Sequence, residues 1–163
     1  DVLLAMGADI KVVNERMSGK EPVADIIVKS AKLKGTTFGA EIMPRLIDEI
    51  PIITVAAIFA EGKTVITGAE ELRVKETDRL SAIVNEFTKM GAAIVGTEDG
   101  LIIEGTGKLK KAQCYSYHDH RIAMALAIAG AAANGVVVEN PDCVCISYPT
   151  FYETLGNIKV NWG

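Results

Sequence analysis

The hydrophobic pattern changes period many times along the chain, and each change marks an element. Val2, Leu3, Leu4 and Met6 form the end of an amphipathic helix closed by Gly7. Short Ile- and Val-rich runs then predict strands over 10–13 and 25–29, separated by a polar loop over 14–22 that carries Gly19 and Pro22. A third strand is predicted over 36–40, then a helix over 48–60 with Asp48 as its cap and Pro51 in its first turn. After a strand over 64–67 comes the clearest helix, 75–90, where Leu80, Ile83, Val84, Phe87 and Met90 share one face and Gly91 stops the run. Residues 92–95 and 101–104 read as a hairpin around Glu98-Asp99-Gly100. A strand over 113–116, a helix over 119–133 ended by Asn134-Gly135, a strand over 136–139 and a short helix over 148–157, with Pro149 near its start, complete the chain. The runs 50–60 and 122–133 are apolar nearly all round, so both are expected inside a domain with sheets packed about them.

The order repeats. Leu4-Ala5-Met6-Gly7-Ala8-Asp9-Ile10 matches Thr88-Lys89-Met90-Gly91-Ala92-Ala93-Ile94, Lys32-Leu33-Lys34 matches Lys108-Leu109-Lys110, and Ala60-Glu61-Gly62 matches Ala133-Asn134-Gly135. The period is too long for a solenoid of small repeats and suits a βαβαββ unit. The expected fold class is α/β (α+β). The chain would hold the tail of one unit (about 1–35), a complete unit (about 36–110) and the head of the next (about 111–163), forming a single incomplete domain over 1–163. It opens at Asp1 inside an amphipathic pattern, and both ends are cut relative to the repeat, which leads us to expect a fragment.

Composition narrows the function. Among 163 residues, 49% are apolar and 23% charged, an ordinary globular mixture and not a disordered one. The net charge of −4 argues against non-specific nucleic-acid binding, which needs a positive footprint. The longest apolar run, 122–133, is too short to span a bilayer, and no secretion leader is visible, so a cytoplasmic protein away from membranes is expected. Cys114, Cys143 and Cys145 are odd in number and lack a C-x-x-C pair, so they read as reduced packing residues, as Met6, Met90 and Met124 read as core.

Charged residues collect at three helix starts: Asp48-Glu49; the run from Glu71 to Arg79; and His118-Asp119-His120-Arg121. A helix start presents unpaired N–H groups and favours anions, so Arg73, Lys75, Arg79 and Arg121 would form a cationic site for a phosphate or carboxylate. Lys75 and Glu76 lie four and three residues before Arg79, on one side of a first helical turn. That trio either combines anion clamping with proton transfer or is a capped helix with an exposed ion pair worth about 0.5 kcal/mol. Asp119 can cap the last apolar helix, which leaves His120 and Arg121 at its mouth. A cation there opposes the helix dipole unless an anion shares the site. The repeat places Asp48 opposite Arg121. Other motifs fail: Gly62-Lys63-Thr64 lacks the upstream glycine of a phosphate loop, and His118 and His120 have no third ligand for a metal.

Four segments together resemble one family. Glu71-Leu72-Arg73-Val74-Lys75-Glu76-Thr77-Asp78-Arg79-Leu80 resembles the R-x-K-E-[ST]-D-R motif of 5-enolpyruvylshikimate-3-phosphate synthases. Asp119-His120-Arg121-Ile122-Ala123-Met124 resembles the D-H-R-x-A-M motif of the same family. Asp48-Glu49-Ile50-Pro51 and Ser147-Tyr148-Pro149-Thr150-Phe151 resemble two further landmarks. The resemblance implies the two-domain enolpyruvyl transferase fold, of which this chain would be most of the C-terminal domain, with the N-terminal domain as its missing partner. It implies transfer of the enolpyruvyl group of phosphoenolpyruvate to the 5-hydroxyl of shikimate 3-phosphate, with release of phosphate. That is a step toward chorismate and the aromatic amino acids, and many members are inhibited by glyphosate. No metal or organic cofactor is implied.

Carried over by position, Asp48 would hold the reacting hydroxyl as its base, and Glu76, with Lys75, would handle protons at the methylene carbon. Lys75 would also touch shikimate 3-phosphate. Arg79, His120 and Arg121 would grip phosphoenolpyruvate, supported by Arg73, Asp78 and Asp119. The lysine that some members carry before the [FY]-P pair is absent, since Cys145-Ile146-Ser147 stands there. The fragment alone is expected to be inactive. Within the fold, the alternatives are the enolpyruvyl transferase acting on UDP-N-acetylglucosamine and a non-catalytic anion-binding domain.

Overall fold

The computed structural model describes residues 1–133 and 135–160. It opens with a short helix, α1 (Val2–Ala5), followed by the hairpin of β1 (Asp9–Ser18) and β2 (Glu21–Lys29). The strand β3 (Thr37–Phe38) leads to α2 (Met43–Leu46), a 3₁₀ turn at Ile47–Glu49 and α3 (Ile50–Phe59). Next come β4 (Gly62–Ile66), a 3₁₀ turn at Glu70–Val74, and α4 (Arg79–Lys89). The hairpin of β5 (Ala93–Gly96) and β6 (Leu101–Gly105) is followed by β7 (Ala112–Tyr115), α5 (His120–Ala132) and β8 (Val136–Glu139). After a 3₁₀ turn at Pro141–Ile146, α6 (Phe151–Val160) ends the described chain.

The central sheet has the order β3-β4-β6-β5, with β3 parallel to β4 and the other pairs antiparallel. β7 and β8 pair in parallel, joined through α5. The all-apolar pattern of α3 has its expected consequence: Ile50, Ile53, Val55, Ala57 and Ile58 are all buried, and the helix lies against α5 and β6. On α4 the predicted face is buried through Leu80, Ile83 and Phe87, while the opposite side meets solvent. Burying side chains of this size contributes about 1.5–3 kcal/mol each before entropy is counted. No helix among the described residues is long and apolar enough to cross a membrane.

The matching Lys-Leu-Lys segments make matching bonds. The Lys34 N–H donates to the Met6 carbonyl and the Lys110 N–H to the Met90 carbonyl, each at 2.8 Å. Both close the C-terminal end of a helix whose following glycine, Gly7 or Gly91, has φ near +90° (88° and 86°).

Several boundaries differ from the sequence reading. The predicted loop over 14–22 is the paired end of the β1–β2 hairpin, turning only at Gly19-Lys20. Its polar residues alternate on a ribbon exposed on both faces, so no apolar face announced the strands. Asn14 takes φ 53° at the irregularity between Val13 and Arg16. The third strand shrinks to two residues, and the last helix begins at Phe151, after Pro149. The cysteines divide: Cys114 is buried, Cys143 half-buried and Cys145 exposed, so the last is not a packing residue. The predicted stop at Asn134 lies outside the described residues.

Candidate active site

The N-termini of α3, α4 and α5 meet. Asp48 lies in the 3₁₀ turn leading into α3; Lys75 and Glu76 lie in the connection before α4; Arg79 opens α4; His120 and Arg121 open α5. Asp119 caps α5, its Oδ1 accepting from the backbone N–H of Arg121 and of Ile122. Asp78 caps α4 by accepting from the Ser81 N–H at 3.0 Å and the Ser81 hydroxyl at 2.8 Å.

Arg79 is the hub. Its side chain is 1% exposed, yet its guanidinium holds three carboxylates from three segments. Nε donates to Asp119 at 2.6 Å, Nη1 to Asp48 at 2.9 Å and Nη2 to Glu76 at 2.6 Å. Asp119 is wholly buried, so its oxygens divide between the α5 cap and this arginine. A guanidinium has five N–H groups. Three bind these carboxylates, and each terminal nitrogen carries one more N–H.

Asp48 faces three cations: Arg79 at 2.9 Å, Arg121 at 3.8 Å and Lys75 at 3.9 Å. Arg121 also donates to the Asp48 carbonyl at 2.9 Å and to Glu49 at 3.0 Å, and Lys75 binds Glu71 at 2.7 Å. Partial burial works against the charge on Asp48. The Arg79 hydrogen bond and the charges of Arg121, Arg79 and Lys75 outweigh it and hold the carboxyl below the ordinary aspartate value of 3.8. The Glu71 hydrogen bond, aided by the charges of Glu71 and Asp48, raises Lys75 above 10.5. Burial opposes the charge on Arg79, but Asp119, Glu76 and Asp48 outweigh it and hold the guanidinium above its ordinary value. Asp48 is therefore an acceptor-only carboxylate at neutral pH, beside the charged Lys75 and Arg79.

Three sequence expectations need correction. Asp48 does not cap α3; the helix starts at Ile50 without a side-chain cap, which leaves the Asp48 carboxylate to the arginines. Lys75 and Glu76 are not on a helical turn. The helix starts at Arg79, where Asp78 caps it by accepting the Ser81 N–H, and Lys75 is extended (φ −79°, ψ −156°). Glu76 still reaches Arg79, through the bend of the connection. Arg73 leaves the expected cationic group: it binds the carbonyls of Thr97 and Glu98 and the carboxylate of Asp78, tying the β5–β6 turn to the α4 cap.

His120 sits half-buried at the mouth of α5, its ring without a hydrogen-bond partner among the described residues. Sequence reasoning missed Glu49 and Glu71 as partners of Arg121 and Lys75. The four-residue spacing from Glu71 to Lys75 was the available signal for one of them.

A profile of the EPSP synthase family (3-phosphoshikimate 1-carboxyvinyltransferase) matches residues 1–155. The 3-phosphoshikimate 1-carboxyvinyltransferase of Thermoanaerobacter sp. (strain X514) is 58% identical over 155 residues, 94% of this chain and 37% of that protein. The EPSP synthase structure from Acinetobacter baumannii superposes with a TM-score of 0.91 at 43% identity, over 96% of this chain and 37% of that one. The enolpyruvyl transferase NikO from Streptomyces tendae superposes with a TM-score of 0.72 at 22% identity, over 96% of this chain and 34% of that one, a likeness of fold. The chain thus spans a little over a third of the length of the relatives it matches.

Proposed function

The chain belongs to the EPSP synthase family, and on that premise we propose that it forms most of the C-terminal domain of an enzyme transferring the enolpyruvyl group of phosphoenolpyruvate to the 5-hydroxyl of shikimate 3-phosphate. The observation that carries the reading is the Arg79 hub, which brings Asp48 and Glu76 onto the two terminal nitrogens of one guanidinium. Addition–elimination needs a base at the hydroxyl and an acid at the methylene carbon, close together yet distinct. One arginine supplies that spacing.

In this reading the Asp48 carboxylate accepts the hydrogen bond of the 5-hydroxyl. Its low pKa makes it a weak base toward the resting alcohol. It takes the proton as the oxygen attacks C2 of phosphoenolpyruvate and becomes acidic. Glu76 passes a proton from the Lys75 ammonium to the methylene carbon, giving a tetrahedral intermediate. The same pair takes back a methyl proton as phosphate departs with the proton held by Asp48, which restores the double bond. Lys75 also reaches shikimate 3-phosphate. Arg121, His120 and Arg79 hold the phosphoenolpyruvate anions, with the substrate displacing Glu49 from Arg121 and reaching the buried Arg79 fork where Glu76 turns toward the methylene carbon; Asp119, Asp78 and Arg73 hold the frame. Arginine forks suit planar carboxylate and tetrahedral phosphate.

The partner is the N-terminal domain of the same enzyme, closing a cleft over this surface, in a cytoplasmic protein that needs no cofactor. The chain is read as the tail, one complete copy and the head of successive βαβαββ units; the paired Lys34–Met6 and Lys110–Met90 bonds support this. Half a cleft lacks water exclusion and preorganisation, so the isolated chain should show negligible turnover.

The test is Glu76→Gln in the full-length enzyme. Turnover should fall by about 10²–10⁴-fold while both substrates still bind by calorimetry. Turnover close to that of the unmodified enzyme would remove Glu76 from proton transfer.

A further inference from the structure

Away from the reacting groups, α4 carries a second buried charge. Glu86 is 0% exposed, and its carboxylate accepts from the Tyr115 backbone N–H at 2.9 Å, from the Tyr117 hydroxyl at 2.9 Å and from Lys89 at 2.7 and 2.8 Å. Tyr115 ends β7, and Tyr117 lies in the connection from β7 to α5. Tyr117 and His118 both take φ 56°, so two consecutive residues with side chains sit in the left-handed region immediately before Asp119. Such a backbone persists only where its surroundings over-determine it. Here the Ser116 hydroxyl accepts from the His118 N–H and donates to the Asn140 carbonyl, and the Asp119 N–H closes onto the Ser116 carbonyl.

Arg79 and Glu86 are seven residues apart, two turns along one face of α4. The helix therefore grips the connection at two points: Arg79 holds Asp119 at its end, and Glu86 holds Tyr115 and Tyr117 at its beginning. Between the two grips lies the strained turn; directly after it come His120 and Arg121. Free rotation of that turn would swing the mouth of α5 away from Asp48 and Arg79.

We propose that Glu86 and Tyr117 are positioning residues for the phosphoenolpyruvate side of the site, holding the left-handed turn that aims His120 and Arg121. The proposal rests on the reading of Asp48, Lys75 and Arg121 given above. It separates the substrates, because the groups assigned to shikimate 3-phosphate, Asp48 and Lys75, lie on segments that Glu86 does not touch.

The experiment compares Tyr117→Phe and Glu86→Gln with the unmodified full-length enzyme. Tyr117→Phe removes one hydroxyl and leaves Glu86 bound to Lys89 and to the Tyr115 N–H, so it keeps the test open if Glu86→Gln fails to fold. KM for phosphoenolpyruvate should rise about tenfold, while KM for shikimate 3-phosphate stays within about twofold. Amide hydrogen exchange should quicken over 116–122 and not over 70–80. Both KM values unchanged, or both raised alike, would overturn the proposal and leave the pair a packing contact. An unmodified enzyme without turnover would instead fail the functional reading. In that case the exchange comparison still decides this one: unchanged exchange over 116–122 overturns it.

Discussion

Arg79 and Asp119 are the most consequential pair, because neither side chain meets solvent. Removing one member of a buried ion pair leaves the other charge unsatisfied, at a cost of about 3–5 kcal/mol. Asp119→Ala also deletes the α5 cap, so its urea midpoint should fall by at least that equivalent. A loss below about 1 kcal/mol would mean that water replaces the carboxylate. Cys114 gives a second residue-level expectation. Burial first, then the charge of Glu86, pushes its thiol up to about 11, so it stays protonated at neutral pH. Maleimide should label Cys145 in the native protein and reach Cys114 only after denaturation; native labelling of Cys114 would contradict its packing.

Helix starts decide the geometry of the elements. Asp78 accepts from Ser81 and from Arg73, so Asp78→Ala should cost about 0.5–2 kcal/mol by chemical denaturation and should loosen the β5–β6 turn. A closer fit occurs at Gly100, where an added Cβ would stand 1.9 Å from the Ile66 carbonyl oxygen; Gly100→Ala must shift backbone to fold at all. The periodicity of 75–90 marked the buried face of α4, and Asp119 was legible as a cap from its place before an apolar run. The true start of α4 was less legible. Lys75 and Glu76 have good helix propensity, but Asp78 takes the cap position by accepting the Ser81 N–H, which sets the boundary at Arg79. The outer part of the first hairpin was missed because both its faces are exposed, so no apolar stripe reports its period. The candidate site was legible as three charged helix mouths. That one guanidinium would join three carboxylates, while Arg73 turned elsewhere, is a tertiary fact that spacing does not contain.

At the scale of the whole molecule, charge and exposed surface set the behaviour. The carboxyls of Asp48, Asp78 and Asp99 all lie below 3.8 in the fold. Hydrogen bonds and cation charges outweigh burial for the first two, and the Gly68 N–H leads the causes for Asp99. A carboxyl depressed in the folded state binds fewer protons there than when unfolded, so stability rises with pH through that window. These contributions are complete above about pH 4 and are lost as pH falls through the lower folded values. An acid titration of thermal unfolding should decline there, and Asp78→Asn should make the decline shallower.

The β1–β2 hairpin exposes Val12, Met17, Ile26 and Val28, each more than half accessible. Such a surface favours self-association of the isolated chain, so its light scattering should depend on concentration. The central claim, however, is chemical. Its most direct test is phosphate release from phosphoenolpyruvate by the full-length enzyme, with shikimate 3-phosphate as acceptor in one reaction and UDP-N-acetylglucosamine in a parallel one. Release with shikimate 3-phosphate alone is the predicted result. Release with neither, or only with the nucleotide sugar, would contradict it.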